Sequence, residues 1–205
     1  MDLPKFGLTS AELETGVQVD QSPSLVARAR AGDDEAFRDI FERHHRLVMR
    51  FIYGMVNEHA LTEELTQETF ISAYKALENL RDESKLPTWL CGIAKNVVRH
   101  SFRAKGRERG RIDLDDASVT ELRDRDSPAP DDYLLDKELK RVIQNALLDL
   151  DEDKRMVFTL KVLQQRSYEE IAEITGFSIS KLKTDLHRAK AGMRRLVRPY
   201  LGGGQ

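Results

Sequence analysis

The stretch Ser167–Arg198, SYEEIAEITGFSISKLKTDLHRAKAGMRRLVR, narrows the fold more than any other part of the chain. Ser167 followed three residues later by Glu170 has the form of a reciprocal capping box. Tyr168, Ile171 and Ala172 supply one inner face, and Gly176 provides the left-handed stop that a short helix needs. Ser178 can cap a second helix at once. In that helix Leu182, Leu186, Ala189, Met193 and Leu196 recur every three or four residues, so one stripe faces a core. Lys181, Lys183, Arg188, Lys190, Arg194, Arg195 and Arg198 lie mostly off it. Two helices joined by a tight turn, the second basic on its outer face, suit insertion into a DNA major groove, where cations neutralise phosphates and polar side chains read base edges. Lys and Arg on an exposed helix are commonly just a solvated face, so the pattern alone leaves both readings open.

The 205-residue chain is long enough for two small cores. No apolar run reaches the length of a bilayer span, and the N-terminus lacks the features of a secretory or transit segment. A cytoplasmic protein with no membrane insertion is the expectation. A single cysteine, Cys91, excludes an intrachain disulfide and a multi-cysteine zinc site, and its neighbours Trp89, Leu90 and Ile93 suggest a buried, inert thiol. His100 falls on the opposite helix face from Cys91, while His44 and His45 diverge. No glycine-rich phosphate loop, serine elbow or paired metal-binding histidines occur, so no catalytic residue, metal or cofactor is expected.

Net charge is only −2, but its distribution is uneven. Seven cations between Lys95 and Arg111 face one acid, Glu108, whereas eight acids between Asp113 and Asp132 face Arg123 and Arg125. Such segregation suggests separate surfaces for a polyanion and a polycation.

Taken in order, residues 1–23 lack periodicity and read as a flexible extension. Helix is expected from Ser24, broken at Gly32 and restarted by an Asp33 cap. Phe37, Ile40, Phe41, His44, Leu47, Val48, Phe51, Ile52, Met55 and Val56 then repeat at helical spacing. After a break at Asn57–Ala60, LTEELTQETFISAYKAL turns Leu61, Leu65, Phe70, Ala73 and Leu77 inward. Its other face carries Glu63, Glu64, Gln67 and Glu68, for which ordinary solvation is the plain explanation. A polar loop, Asn79–Leu86, leads to Pro87 in the first turn of a helix. There Leu90, Ile93, Ala94, Val97, Val98 and Ser101 face inward, and Lys95, Asn96, Arg99, His100 and Arg103 outward. Cations on that face can hold phosphates while the Asn96 amide pairs with a base edge. Periodicity stops over 104–131, a flexible acidic linker longer than a compact domain normally contains. It resumes with Leu135, Leu139, Val142, Ile143, Ala146, Leu147 and Leu150, then an Asp151 cap and Val157, Phe158, Leu160, Val162 and Leu163; residues 202–205 are a disordered tail.

The fold class expected is all-α, with two small helical domains at 24–103 and 132–201. Three segments of the first, AFRDIFERHHRLVMRFIYGMV, ELTQETFISAYKAL and PTWLCGIAKNVVRHSFR, resemble region 2 of the extracytoplasmic-function (ECF) sigma factors, the smallest members of the sigma-70 family of bacterial RNA polymerase subunits. LDLDEDKRMVFTLKVLQQRSYEEIAEITGFSISKLKTDLHRAKAGM in the second resembles region 4. The resemblance implies a non-enzymatic specificity subunit that binds core RNA polymerase and promoter DNA and is commonly restrained by an anti-sigma factor. It implies that Glu63, Glu64, Gln67 and Glu68 grip the beta-prime clamp helices, reversing the solvation reading, and that region 4 meets the beta flap. It assigns Arg81, Asp82, Ser84, Lys85, Asn96, Arg99, His100 and Arg103 to the minus-10 element, with Asn96 on the family's base-contacting asparagine. Trp89 matches the family's WL pair, with core packing as its main expected role. Lys181, Lys183, Thr184, His187 and Arg188 fall on minus-35 positions. Asp185 stands where the family often has a cation, so it either weakens a phosphate contact or accepts from a cytosine amino group. The linker acids Asp113 to Asp126 would suit a basic channel otherwise filled by nucleic acid. A stand-alone helix-turn-helix regulator of duplex DNA is the competing function, and a nuclease ranks last for want of clustered acids or histidines beside a basic groove.

Overall fold

The structure, a computed structural model, describes residues 24–112 and 142–201. The expectations for the N-terminal extension, for residues 113–141 and for the last four residues lie outside it. Every regular element among the described residues is helical. Short helix α1 (Leu25–Arg30) starts where the Ala27 amide donates to Ser24 Oγ at 3.0 Å. It ends at Gly32, whose φ of +87° is open to glycine without strain. Asp33 caps α2 (Asp34–Val56), accepting from the Ala36 amide at 3.1 Å. Asn57 closes α2 in the left-handed conformation, and Glu58 caps α3 (His59–Ala76).

The buried side of α3 carries three threonines, Thr62, Thr66 and Thr69, besides the expected apolar residues. Each hydroxyl donates to the carbonyl four residues earlier, at 2.6, 2.7 and 2.7 Å, which removes the cost of burying it. Two single 3₁₀ turns, Leu77–Asn79 and Glu83–Lys85, shape the loop before α4 (Leu86–Ile112), which runs beyond Arg103, where the apolar periodicity stops. Helices α2, α3 and α4 pack on one another around Val48, Phe51, Ile52, Met55, Leu90 and Val98, all essentially without solvent exposure.

The second domain begins with α5, described over 142–148, followed by α6 (Glu152–Phe158) capped by Asp151. A π-helical segment, Thr159–Leu163, continues α6. Helix α7 (Tyr168–Thr175) starts in the predicted capping box, with both reciprocal bonds made, and stops at Gly176 with φ +78°. The Ser178 hydroxyl then accepts from the Lys181 amide at 3.2 Å to open α8 (Ile179–Leu201), which packs on α6.

The two domains share one continuous core. Helix α7 lies on α4, and α6 with its π-helical continuation lies on α2. Gly54 permits that approach: a Cβ there would fall 2.7 Å from Thr159 Cγ2. Arg155 reaches across to donate to Met55 O at 2.7 Å while also serving Leu150 O at 2.9 Å, and Gln164 Nε2 donates to Leu47 O at 3.0 Å. Exposed ion pairs contribute about 0–1 kcal/mol each, whereas burying one large apolar side chain contributes about 1.5–3 kcal/mol. The seam is therefore held mainly by its apolar contacts and by these carbonyl bonds.

Candidate nucleic-acid interface

Three surfaces carry the side chains singled out from the sequence. The first is the junction of the Asn79–Leu86 loop with α4. Asp82 shapes that loop, accepting from the Ser84 amide at 3.0 Å and from the Ser84 hydroxyl at 2.6 Å. Those bonds hold the Asp82 carboxyl below its usual range. Arg81, Asp82, Lys85, Trp89, Lys95 and Asn96 line a cavity of about 530 Å³. Asn96 is exposed at its edge, and Trp89 is half-buried, so the indole serves the cavity wall as well as the core. Burial, aided by neighbouring Arg99, presses the Lys95 ammonium below its normal pKa. Ser84 and His100 are exposed but do not line this cavity.

Arg99 and Arg103 turn instead into a larger cleft of about 1090 Å³ shared with α6 and α8. Arg99 donates through Nε to Glu152 at 2.7 Å and through Nη2 to Asp153 at 2.9 Å. Its guanidinium also stands 5.8 Å from the centroid of Phe177.

The second surface is the outer face of α8, where Lys183, Thr184, His187 and Arg188 are all exposed. Lys181 departs from it. Its ammonium folds back to Asp153 at 2.9 Å and Asp185 at 2.5 Å, over the Phe177 ring at 3.9 Å. Burial presses its pKa down, but the bonds to Asp185 and Asp153 outweigh that and leave it raised. Asp185 is only 7 % exposed. It points inward to Lys181, so the sequence reading that set this acid close to phosphates or to a cytosine is corrected: one turn of helix puts it beside Leu182 and Leu186 on the buried stripe.

The third surface is α3. Glu63, Glu64, Gln67 and Glu68 are exposed together, and the stripe continues into Ile71 and Tyr74, 56 % and 48 % exposed. The sequence reading stopped at the acids, although spacings of three and four from Glu64 through Gln67, Glu68 and Ile71 mark one face. The Tyr74 ring packs edge-on against Phe37, and its hydroxyl donates to Asp34 at 3.4 Å. The acidic strip of α3 thus ends in two exposed apolar groups.

Cys91 offers no chemistry, since burial pushes its thiol up to about 11. Among the described residues no group of three or more His, Cys, Asp or Glu could hold a metal ion, and no helix is long and apolar enough to cross a membrane.

Residues 40–108 match the family model for sigma-70 region 2, and residues 140–193 that for sigma-70 region 4. The chain is 32% identical over 184 residues to the ECF RNA polymerase sigma-E factor of Haemophilus influenzae, covering 87% of this chain and 96% of that one. It is 30% identical over 181 residues to the protein of the same name from Escherichia coli K12, covering 86% and 94%. The fold is similar to that of the sigma factor RpoE from Bartonella quintana, solved in complex with the anti-sigma factor NepR. That match has a TM-score of 0.64 and 23% identity, over 79% of this chain and 96% of that one.

Proposed function

Because the chain belongs to the ECF group of the sigma-70 family of RNA polymerase sigma factors, we propose that its first domain binds core polymerase through α3 and reads the minus-10 element through the cavity beside Asn96. The second domain reads the minus-35 element through Lys183, Thr184, His187 and Arg188. The observation that carries this reading is the meeting of Asn96, Trp89, Arg81 and Lys85 around one cavity in the segment matched by region 2.

The chemistry fits a base taken out of the stack. Extruding a base costs a few kcal/mol. A single aromatic contact returns about 1–3 kcal/mol, and Trp89 is partly accessible in the cavity wall. Asn96 supplies donor and acceptor for a base edge, and Arg81 and Lys85 supply cations for the flanking phosphates. Asp82 and Ser84 act through the loop they tie together. His100 and Arg103, exposed further along α4, extend the cationic track for the strand. On α3 the acids Glu63, Glu64 and Glu68 with Gln67 meet a basic partner surface, the beta-prime clamp helices, and Ile71 and Tyr74 add apolar contact. The second domain docks on the beta flap. An anti-sigma factor that covers these faces is the expected restraint, in keeping with the complex known for the Bartonella quintana relative.

Two variants separate the roles. Asn96→Ala is expected to reduce promoter opening, read by permanganate reactivity of unpaired thymines, while the protein still co-elutes with core polymerase. Glu64→Lys with Glu68→Lys is expected to abolish co-elution. Loss of core binding in Asn96→Ala, with opening retained by the charge-reversed protein, would overturn the assignment of the two faces.

A further inference from the structure

A third cavity, of about 390 Å³, is lined by no residue assigned above to DNA or polymerase. Its floor is the end of α2, from Met49 to the Asn57 cap, and α5 forms the facing wall. Met49, Tyr53, Ile143, Leu147 and Leu163 make it largely apolar, and Leu163 is 46 % exposed at its edge. The floor rises about 12 Å along the helix, and the volume stands at the lower end of the range for small-molecule sites, about 300–1,000 Å³. A medium-length alkyl chain suits these dimensions.

The polar lining gathers around Tyr53. Arg50 lies one turn before it on α2, Asn57 lies one turn after it with its amide donating to Tyr53 O at 2.8 Å, and the His59 ring stands 4.8 Å from the Tyr53 ring, centroid to centroid. Among the described residues no acidic side chain lines the cavity, so the charge of Arg50 is uncompensated there. Asn57 holds φ +50°, and its Oδ1 is buried with no hydrogen-bond partner among the described residues. A head group that satisfies this corner carries negative oxygens for Arg50 and an O–H that donates to Asn57.

We propose that this cavity is a binding site for a medium-chain hydroxy carboxylate. The alkyl chain lies between α2 and α5, the carboxylate meets Arg50 with His59 beside it, and the hydroxyl donates to Asn57 Oδ1. Such a ligand touches α2 and α3 of the first domain and α5 of the second, and its binding stabilises the folded chain by mass action.

The test uses the full-length protein with 3-hydroxydecanoate, decanoate and decylammonium, each below its micelle concentration. Affinity is measured by calorimetry, and the methyl resonances of Ile143, Leu147 and Leu163 report whether the cavity is the place of binding. 3-Hydroxydecanoate is expected to shift those methyls, to bind about tenfold tighter than decylammonium and to bind several-fold tighter than decanoate. Arg50 is exposed, so Arg50→Glu is expected to fold and to reverse the preference between carboxylate and ammonium. Should it not fold, Arg50→Gln serves instead, with an expected loss of about tenfold for both carboxylates. Asn57→Gly keeps the left-handed cap without strain and is expected to bind decanoate and 3-hydroxydecanoate equally. A wild-type chain that binds none of these probes, or binds them all alike, overturns the site, as does binding that leaves the methyls unmoved. A hydroxyl preference that survives Asn57→Gly overturns the assigned head group.

Discussion

His44 sits half-buried on α2, with Arg43 beside it and Arg166 near it from the second domain. Burial first, then these two cations, lowers its pKa below the ordinary 6.5. The unfolded chain therefore binds this proton at a higher pH than the folded chain does. As pH falls through 6.5 the unfolded state gains protons first, and stability is lost until the folded His44 is itself protonated. Urea unfolding between about pH 7 and pH 5 is expected to show declining stability for the wild type and a shallower decline for His44→Gln; equal slopes would remove His44 as the cause. The helical spacing of α2 made His44 legible as an inward residue. Its sensitivity to Arg166 was not, because that cation lies far along the chain. Threonines 62, 66 and 69 were hidden for a different reason: their hydroxyls make them look like surface residues until each is seen bonded to its own helix.

Among the helices, those with strong local punctuation were the ones read correctly. Asp33, Asp151, Ser167 and Ser178 all cap where their side chains suggested, and Gly32 and Gly176 both adopt the positive φ that ends a helix. The π-helical Thr159–Leu163 carries no such mark in the sequence, and it packs against α2. Helix α8 divides into a readable stripe and one misread position, Asp185. An acid at a core-facing position looks like a surface acid unless its partner is known, and Lys181 is that partner. Asp185→Asn leaves Lys181 with a weaker tether, free to swing to the outer face. Minus-35 binding by the polymerase complex is then expected to grow steeper in its salt dependence, by about 0.9 in log K against log salt for one added phosphate contact. An unchanged slope would mean that Asp153 alone holds Lys181.

At the scale of the molecule, the two-domain, all-helical organisation was legible because apolar periodicity lapses between two periodic blocks and residues 113–132 are strongly acidic. How the blocks meet was not. Gly54 with Thr159, Arg99 with Glu152 and Lys85 with Glu173 are pairs separated by more than fifty residues, and nothing local in either member names the other. The candidate site followed the same rule. Its candidate residues are singled out by their helix faces and by family resemblance, whereas the pairing of Lys85 and Arg99 with acids of α7 and α6 emerges only from the tertiary arrangement. Promoter choice conferred on polymerase, rather than duplex DNA binding by the chain alone, is the property from which the roles of both domains follow. Multi-round transcription of sheared genomic DNA by core RNA polymerase, with and without the purified protein and with 5′ ends mapped, addresses that directly. The predicted result is a set of new start sites sharing two upstream elements at a fixed spacing, absent with either component alone and weakened with Asn96→Ala. Sequence-specific footprints made by the protein without core polymerase, and no new start sites in its presence, would contradict it.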